Sequence, residues 1–375
     1  MILGGKKRER RKIHLDSSRP LPEPEEELES SEPSEIYPPA QEFDVLVIGA
    51  GPTGLACAID AQREGFRVVL IDKGCLCNSL FHYPSNMTFF TTPELLEIGN
   101  IPFSSPNQKP NRQEALEYYR KVAQHYQLDI RQYEYVERVE GAAGNFLVHC
   151  ADSSRRAHTY RAKALIVATG YYDRPNYLNI PGEDLPKVFH YYKEPHPYFD
   201  HDVLVIGGKN SAAIASLDLW RHGARVTLAY RGPAIHKHVK YWILPDIENR
   251  IRNGEIQGFF RTTVEEIAID SVRLRTPEGV RTIANDFVFA MTGYHPDFTF
   301  LDALGVRMEG PDRMPAYDPQ TLESNVPGVY LAGVIVAGAR TNEIFIENGR
   351  FHGALIAAGM LEQFQPKKAR VDVKG

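Results

Sequence analysis

Apolar positions along the chain fall into short continuous runs rather than long alternations. FDVLVIG (43–49) is one, bounded by glycine, as in a strand covered on both faces. PTGLACAIDAQREG (52–65) then has helical spacing, with Leu55, Ala58, Ile59 and Ala61 toward a core and Gly65 at its end. FRVVLID (66–72) is a second apolar run, so the stretch predicts a β-α-β unit. The unit recurs. DVLVIGAGPTGLACAIDAQREGFRVVLIDK (44–73) aligns without gaps on DVLVIGGKNSAAIASLDLWRHGARVTLAYR (202–231). Further runs end in small-residue turns at AKALIVATG (162–170), NDFVFAMTG (285–293) and VPGVYLAGV (326–334). A helical pattern, NGRFHGALIAAGMLEQF (348–364), closes the series.

Bulk properties narrow the class. A chain of 375 residues suffices for two core-bearing domains. A net charge of -5 argues against a dedicated nucleic-acid binder. No apolar run reaches about eighteen residues, so no membrane span is expected. Residues 1–42 differ from the rest: KKRERRK (6–12) is basic, and PEPEEELESSEPSE (22–35) is acidic and proline-rich. This composition predicts a disordered tail with a solvated charge run, a nucleic-acid or address patch being the alternative. No apolar stretch of secretory type follows it, so a cytoplasmic location is expected. The four cysteines, Cys57, Cys75, Cys77 and Cys150, form no C-x-x-C.

The two glycine turns carry the chemistry. In the first, Gly49 permits the tight turn, Gly51 lets a pyrophosphate approach the backbone, and Gly54 lets helix and strand pack closely. Pro52 and Thr53 open a helix whose unpaired N–H groups face the phosphates. Asp72, beside Lys73, can accept hydrogen bonds from a ribose diol. The second turn keeps Gly207 and Gly208 but has Lys209, Asn210, Ser211 and Ala212. Tyr230 and Arg231 replace the acid and its neighbour, which removes repulsion of a 2′-phosphate and adds a planar cation. His236, Lys237, His238 and Lys240 follow; a merely solvated basic loop is the competing reading. The expected cofactors are FAD at the first turn and NADPH at the second.

Assigning FAD rests on resemblance. Repeated units with Thr-Gly turns between them look like the flavoproteins with two dinucleotide-binding domains, thioredoxin reductase being the nearest broad relative. FHYPSNMTFFTTPELLEIGNIPF (81–103), ATGYYDRPN (168–176), DLPKVFHYYKEPHPYFD (184–200), VIGGKNSA (205–212), YWILP (241–245), FAMTGYHPDF (289–298) and IFIENGRFHG (344–353) resemble the bacillithiol disulfide reductase family. That resemblance covers 43–365 and includes Lys209 and Val334. It implies an α/β fold of two Rossmann-like domains, the NADPH domain (180–293) inserted into a discontinuous FAD domain (43–179 and 294–375). It also implies hydride transfer from NADPH through FAD to a low-molecular-weight disulfide, in a homo-oligomer.

Further site residues follow from the resemblance. His82, Tyr83, Asn86, Phe345 and Asn348 are expected around the flavin ring, with Val136, Thr169, Gly170, Gly293 and Gly333 in the cofactor-contacting set. Tyr171 and Tyr294 are placed where the domains meet. His190, or His196, is a candidate proton donor to a leaving thiolate. The family carries a cysteine after Gly-Pro where this chain has Thr53; Cys57, one helical turn on, is the substitute thiol, against a reading as packed core. Cys75 and Cys77 are read on strand-like positions with side chains apart, and with His82 they lack a fourth metal ligand, so no metal is expected. Cys150 reads as core. Other acceptors stay open: a ferredoxin or flavodoxin, or dioxygen as in flavin-dependent monooxygenases. A binding module that senses NADPH is the non-enzymatic alternative.

Overall fold

The computed structural model describes residues 39–364. Expectations for 1–38 and 365–375, including most of the charged tail, lie outside the described residues. The first apolar runs form β1 (Val45–Ile48), α1 (Pro52–Arg63), β2 (Val68–Asp72), β3 (Ile130–Gln132) and β4 (Ala164–Val167). The repeated unit supplies β5 (Val188–Phe189), β6 (Asp202–Ile206), α2 (Asn210–Arg221), β7 (Arg225–Tyr230), β8 (Gln257–Phe260) and β9 (Phe287–Ala290). The chain then returns as β10 (Val329–Leu331) and α3 (His352–Gln363).

These elements make two parallel sheets of five strands, β10-β4-β1-β2-β3 and β8-β7-β6-β9-β5. The continuous runs have their explanation here. Every residue of β1 and β4 is buried, with separate apolar clusters on the two faces of the sheet. The second sheet is likewise packed on both faces. α1 is apolar nearly all round because α3 covers its outer side. A Cβ on Gly353 would lie 2.9 Å from the Ala56 carbonyl oxygen and 2.9 Å from the Cys57 Cα, so the two helices touch backbone to backbone.

The two chain crossings between the sheets run side by side. The Asn176 amide donates to the Gly293 carbonyl at 2.9 Å, and the His295 amide to the Arg174 carbonyl at 2.9 Å. Arg174 also reaches Asp297 at 2.7 Å. Among the described residues no helix is long and apolar enough to cross a membrane.

Three local expectations change. Gln41–Glu42, assigned by composition to the tail, pairs in parallel with Tyr160 and Arg161. Backbone hydrogen bonds hold this edge while its side chains stay exposed, so hydropathy gave no sign of it. Cys75 and Cys77 lie in a turn, Cys77 at φ 55°, not on a strand. The C-terminal pattern is two helices, Ile346–Gly349 and α3. The break falls at Arg350, whose guanidinium donates to the carbonyls of Glu94 (2.8 Å) and Glu97 (2.7 Å).

Candidate active site

Each glycine of the first turn meets a different neighbour. Gly49 has φ +107°, and a Cβ there would sit 2.5 Å from the Ala168 carbonyl oxygen. A Cβ on Gly54 would lie 2.0 Å from the Gly49 carbonyl oxygen, so α1 could not pack at this distance with any side chain. Gly51 has nothing within 4 Å of such a Cβ: it faces open space at the N-terminus of α1, where no side chain caps the free amides. This is a cradle shaped for a group from outside. Asp72 accepts from the Ala50 amide at 2.8 Å and the Gly74 amide at 2.8 Å, which fixes its carboxylate at the rim. Burial raises its pKa against those hydrogen bonds.

The second turn solves the same problem with a ring. Tyr230 lies flat over Gly208, where a Cβ would come within 2.3 Å of the ring, and over Gly232 at 2.4 Å. Glycine at 208 and tyrosine at 230 are therefore one device, as are alanine at 50 and aspartate at 72. The basic loop folds back onto the turn: the His236 amide donates to the Gly208 carbonyl at 2.9 Å, and the Lys240 amide to Asn210 Oδ1 at 2.9 Å. Lys209 begins α2 and is exposed. Burial, then Lys209, His238 and Lys237, lower the His236 pKa, as an imidazole among cations requires.

Both turns open on one cleft of about 1790 Å³. Bordering it are Gly49, Gly51, Pro52, Thr53, Asp72, Lys73, Asn86, Val136, Thr169, Gly170 and Gly333 of the first set. Gly207, Gly208, Lys209, Asn210, Ser211, Arg231, Gly293 and Phe345 border it too, with His236, His238 and Lys240 of the basic loop. Lys73 pairs with Asp173 at 3.2 Å. Thr53 packs into a notch between Gly333 and Gly349, whose added Cβ atoms would touch it at 3.2 and 3.1 Å.

Seven predicted site residues do not border the cleft, among them His196, which is exposed at the start of the short helical turn His196–Tyr198. Gly54 is buried under the turn. Cys57 is fully buried against α3, and burial, then Asp60, pushes its pKa far up. The His190 ring packs edge to face on Tyr177, a cleft residue, at 4.8 Å and lies 3.6 Å from Glu183, without bordering the cleft itself. His82 ends the short helix Asn78–His82, half-buried, its pKa lowered by burial and Lys193. Asn348 spends its amide on local capping, accepting from the Phe345 amide at 2.7 Å and donating to the Glu343 carbonyl at 3.1 Å. Lys237 is exposed on the loop beyond the rim.

The expected Tyr83, Tyr171 and Tyr294 border the cleft, and Tyr172, which no motif signalled, joins them at the crossings: its ring meets Tyr83 edge to face (centroids 4.8 Å apart) and Tyr294 at a tilt (4.6 Å). The doubled tyrosines of TGYY and HYY were the available hint. Glu134, buried and hydrogen-bonded by the Tyr160 hydroxyl at 2.6 Å, borders the cleft just beyond Gln132, the register partner of Asp72. Of the remaining thiols, Cys77 and Cys150 are buried with pKa values raised by burial, and Cys75 is half-buried and raised by burial and Asp72. Among the described residues no group of three or more His, Cys, Asp or Glu could hold a metal.

Residues 46–333 match the family model described as pyridine nucleotide-disulphide oxidoreductase. The chain is 49% identical over 314 residues to bacilliredoxin reductase Bdr of Bacillus subtilis, covering 84% of this chain and 96% of that protein. It is similar to the solved bacillithiol disulfide reductase Bdr of Bacillus cereus (TM-score 0.85, 47% identity, 86% of this chain and 100% of that one). For the Staphylococcus aureus protein the values are 0.83, 42%, 87% and 100%.

Proposed function

This chain belongs to the pyridine nucleotide-disulphide oxidoreductase family, in its bacillithiol disulfide reductase branch, and on that premise we propose an FAD-dependent enzyme that spends NADPH to reduce bacillithiol disulfide. The observation that carries the reading is one cleft shared by two glycine turns of opposite charge, Asp72 at one and Arg231 at the other. The open face of Gly51 and the uncapped N-terminus of α1 fit the pyrophosphate of FAD, and Asp72 fits its adenosine ribose. Lys209, Arg231 and the 236–240 loop fit the phosphates of NADPH. When bound, FAD supplies the two-electron relay between nicotinamide and disulfide. We assign residues 43–179 and 294–375 to the FAD domain and 180–293 to the NADPH domain.

The chain's own residues then bind, orient and exclude water. Tyr83, Tyr171, Tyr172 and Tyr294 wall the region between the two turns with rings whose pKa values burial raises, so they stay protonated. Cys57 and Cys150 are buried in packed core, Cys77 is buried at the cleft wall and Cys75 lies in the turn behind Asp72, so no thiol stands open to form a mixed disulfide with substrate. On this reading the disulfide is reduced without an enzyme-bound thiol intermediate. Ferredoxin or flavodoxin reduction, mono-oxygenation and NADPH sensing rank below this reading, since the relatives matched at 42–49% identity over nearly their whole length are bacilliredoxin or bacillithiol disulfide reductases.

The deciding test is anaerobic. Purified protein should be yellow, bleach with NADPH faster than with NADH, and recover its colour on mixing with bacillithiol disulfide. Colourless protein sinks the cofactor assignment. Recovery with ferredoxin, flavodoxin or oxygen but not with the disulfide sinks the substrate.

A further inference from the structure

Besides Lys209 and Arg231 of the second turn, the cleft holds two cations that no carboxylate balances. Lys109 Nζ lies 3.6 Å from the centre of the Trp242 ring, and Lys240 Nζ lies 5.2 Å from that of Phe90. The two rings meet edge to face at 6.0 Å. All four residues border the cleft. Phe90 and Lys109 belong to the segment between β2 and β3, and Lys240 and Trp242 follow β7, so the cluster spans the two sheets' territories.

Outside the second turn, the other lysines and arginines of the cleft are neutralised in place. Lys73 pairs with Asp173, Arg174 with Asp297, and Arg221 with Asp246. Lys109 and Lys240 are half-buried, and among the described residues neither is within ion-pair distance of a carboxylate. An aromatic face is a weaker partner for an ammonium than an oxyanion is, and it gives the cation up when one arrives. Lys240 is also fixed in place, since its amide donates to Asn210 Oδ1 at the start of α2.

We propose that Lys109 and Lys240 form an oxyanion clasp across the cleft, parked on Trp242 and Phe90 until a ligand brings a phosphate or carboxylate between them. Two sources supply that chemistry: the phosphates of the nicotinamide dinucleotide and the carboxylates of an acidic disulfide substrate. The inference rests on the proposed function only in naming these sources.

The chain has two tryptophans, so a Trp220→Phe holoenzyme reports Trp242 alone. Its fluorescence would be titrated with inorganic pyrophosphate, NADP⁺, oxidised glutathione as a carboxylate-bearing disulfide, and hydroxyethyl disulfide as a neutral one. A saturable change with at least one oxyanion and none with the neutral disulfide is expected, as the Lys109 ammonium leaves the ring. Lys109→Gln and Lys240→Gln should each weaken that binding about tenfold or more and flatten its salt dependence. Response to pyrophosphate and NADP⁺ identifies phosphate as the source; response to oxidised glutathione identifies carboxylate. No oxyanion changing the signal, or both lysine variants binding with unaltered affinity, overturns the clasp. Calorimetric titration of NADP⁺ into the unmutated protein separates these failures: heat of binding with a silent Trp242 refutes the clasp alone, and no heat refutes the nucleotide reading.

Discussion

Gly208→Ala tests whether the tyrosine really replaces the acid. The added methyl would lie 2.3 Å from Tyr230 Cδ1 and 2.5 Å from Cγ and Cε1, against about 3.5–4.0 Å for comfortable carbon contact. The ring must withdraw by about 1 Å or more, although it is already in close contact with Gly232, where a Cβ would lie 2.4 Å from Cε1. Overpacking of this kind costs about 1–3 kcal/mol. Expressed in Tm, that is about 2–4 °C per kcal/mol for a domain of this size. Because Gly208 belongs to the nucleotide turn, NADP⁺ affinity should fall by about 5- to 150-fold, while flavin content, set at the other turn, stays whole. The compensating change is Tyr230→Asp, which recreates the Ala50–Asp72 pair with its 2.8 Å amide contact. The double variant should regain stability, with a coupling of about 0.5–3 kcal/mol, and shift its preference toward NADH because a carboxylate repels the 2′-phosphate. Differential scanning fluorimetry and calorimetry read both effects. An unaltered Tm and NADP⁺ affinity in Gly208→Ala, or a double variant no better than the sum of its parts, would refute the pairing.

Other outcomes follow from the same geometry. Gly51→Ala meets nothing within 4 Å and keeps ordinary backbone angles, so the apoprotein should melt unchanged while flavin retention falls; a fully yellow variant contradicts the cradle. Arg231→Ala should raise KM about tenfold or more for NADPH and little for NADH, and an equal rise for both would remove its phosphate role. Prolonged iodoacetamide treatment should leave disulfide reduction intact, and stoichiometric inactivation would restore a catalytic thiol. Asp297 is held below its usual pKa: burial opposes this, but the Arg174 and Phe300 hydrogen bonds outweigh it. A depressed carboxylate stabilises the fold at neutral pH and loses that contribution as pH falls below about 4, so Asp297→Asn should flatten the acid limb of the stability curve.

The parts of this molecule that the sequence disclosed are those set by chain-local rules. Apolar runs ending in glycine marked buried parallel strands, and the ungapped repeat marked two nucleotide turns. The missing parts depend on partners far apart in sequence. Tyr230 can be read as loss of an acid, but that its ring requires glycine at 208 appears only once the turn closes. Cys57 could be read from LACAI as packed core or as a substitute thiol, the packed reading being the stronger, and Gly353 shows what covers it by bringing α3 onto it. Asn348 and His82 sit in segments that border the cleft, yet their side chains serve helix capping and a short helix end, which spacing cannot distinguish from ligand contact. Lys109 and Trp242, 133 positions apart, carry no joint signal at all.

The hydrogen bond from Asn176 to Gly293 makes the departure and return of the chain neighbours in space. Everything between them, including the whole second parallel sheet, is joined to the rest of the chain through this paired stem. Such a block is a detachable cassette: a short linker could replace it without stretching the remainder. The same stem would let a different nucleotide module be spliced onto an unchanged flavin platform.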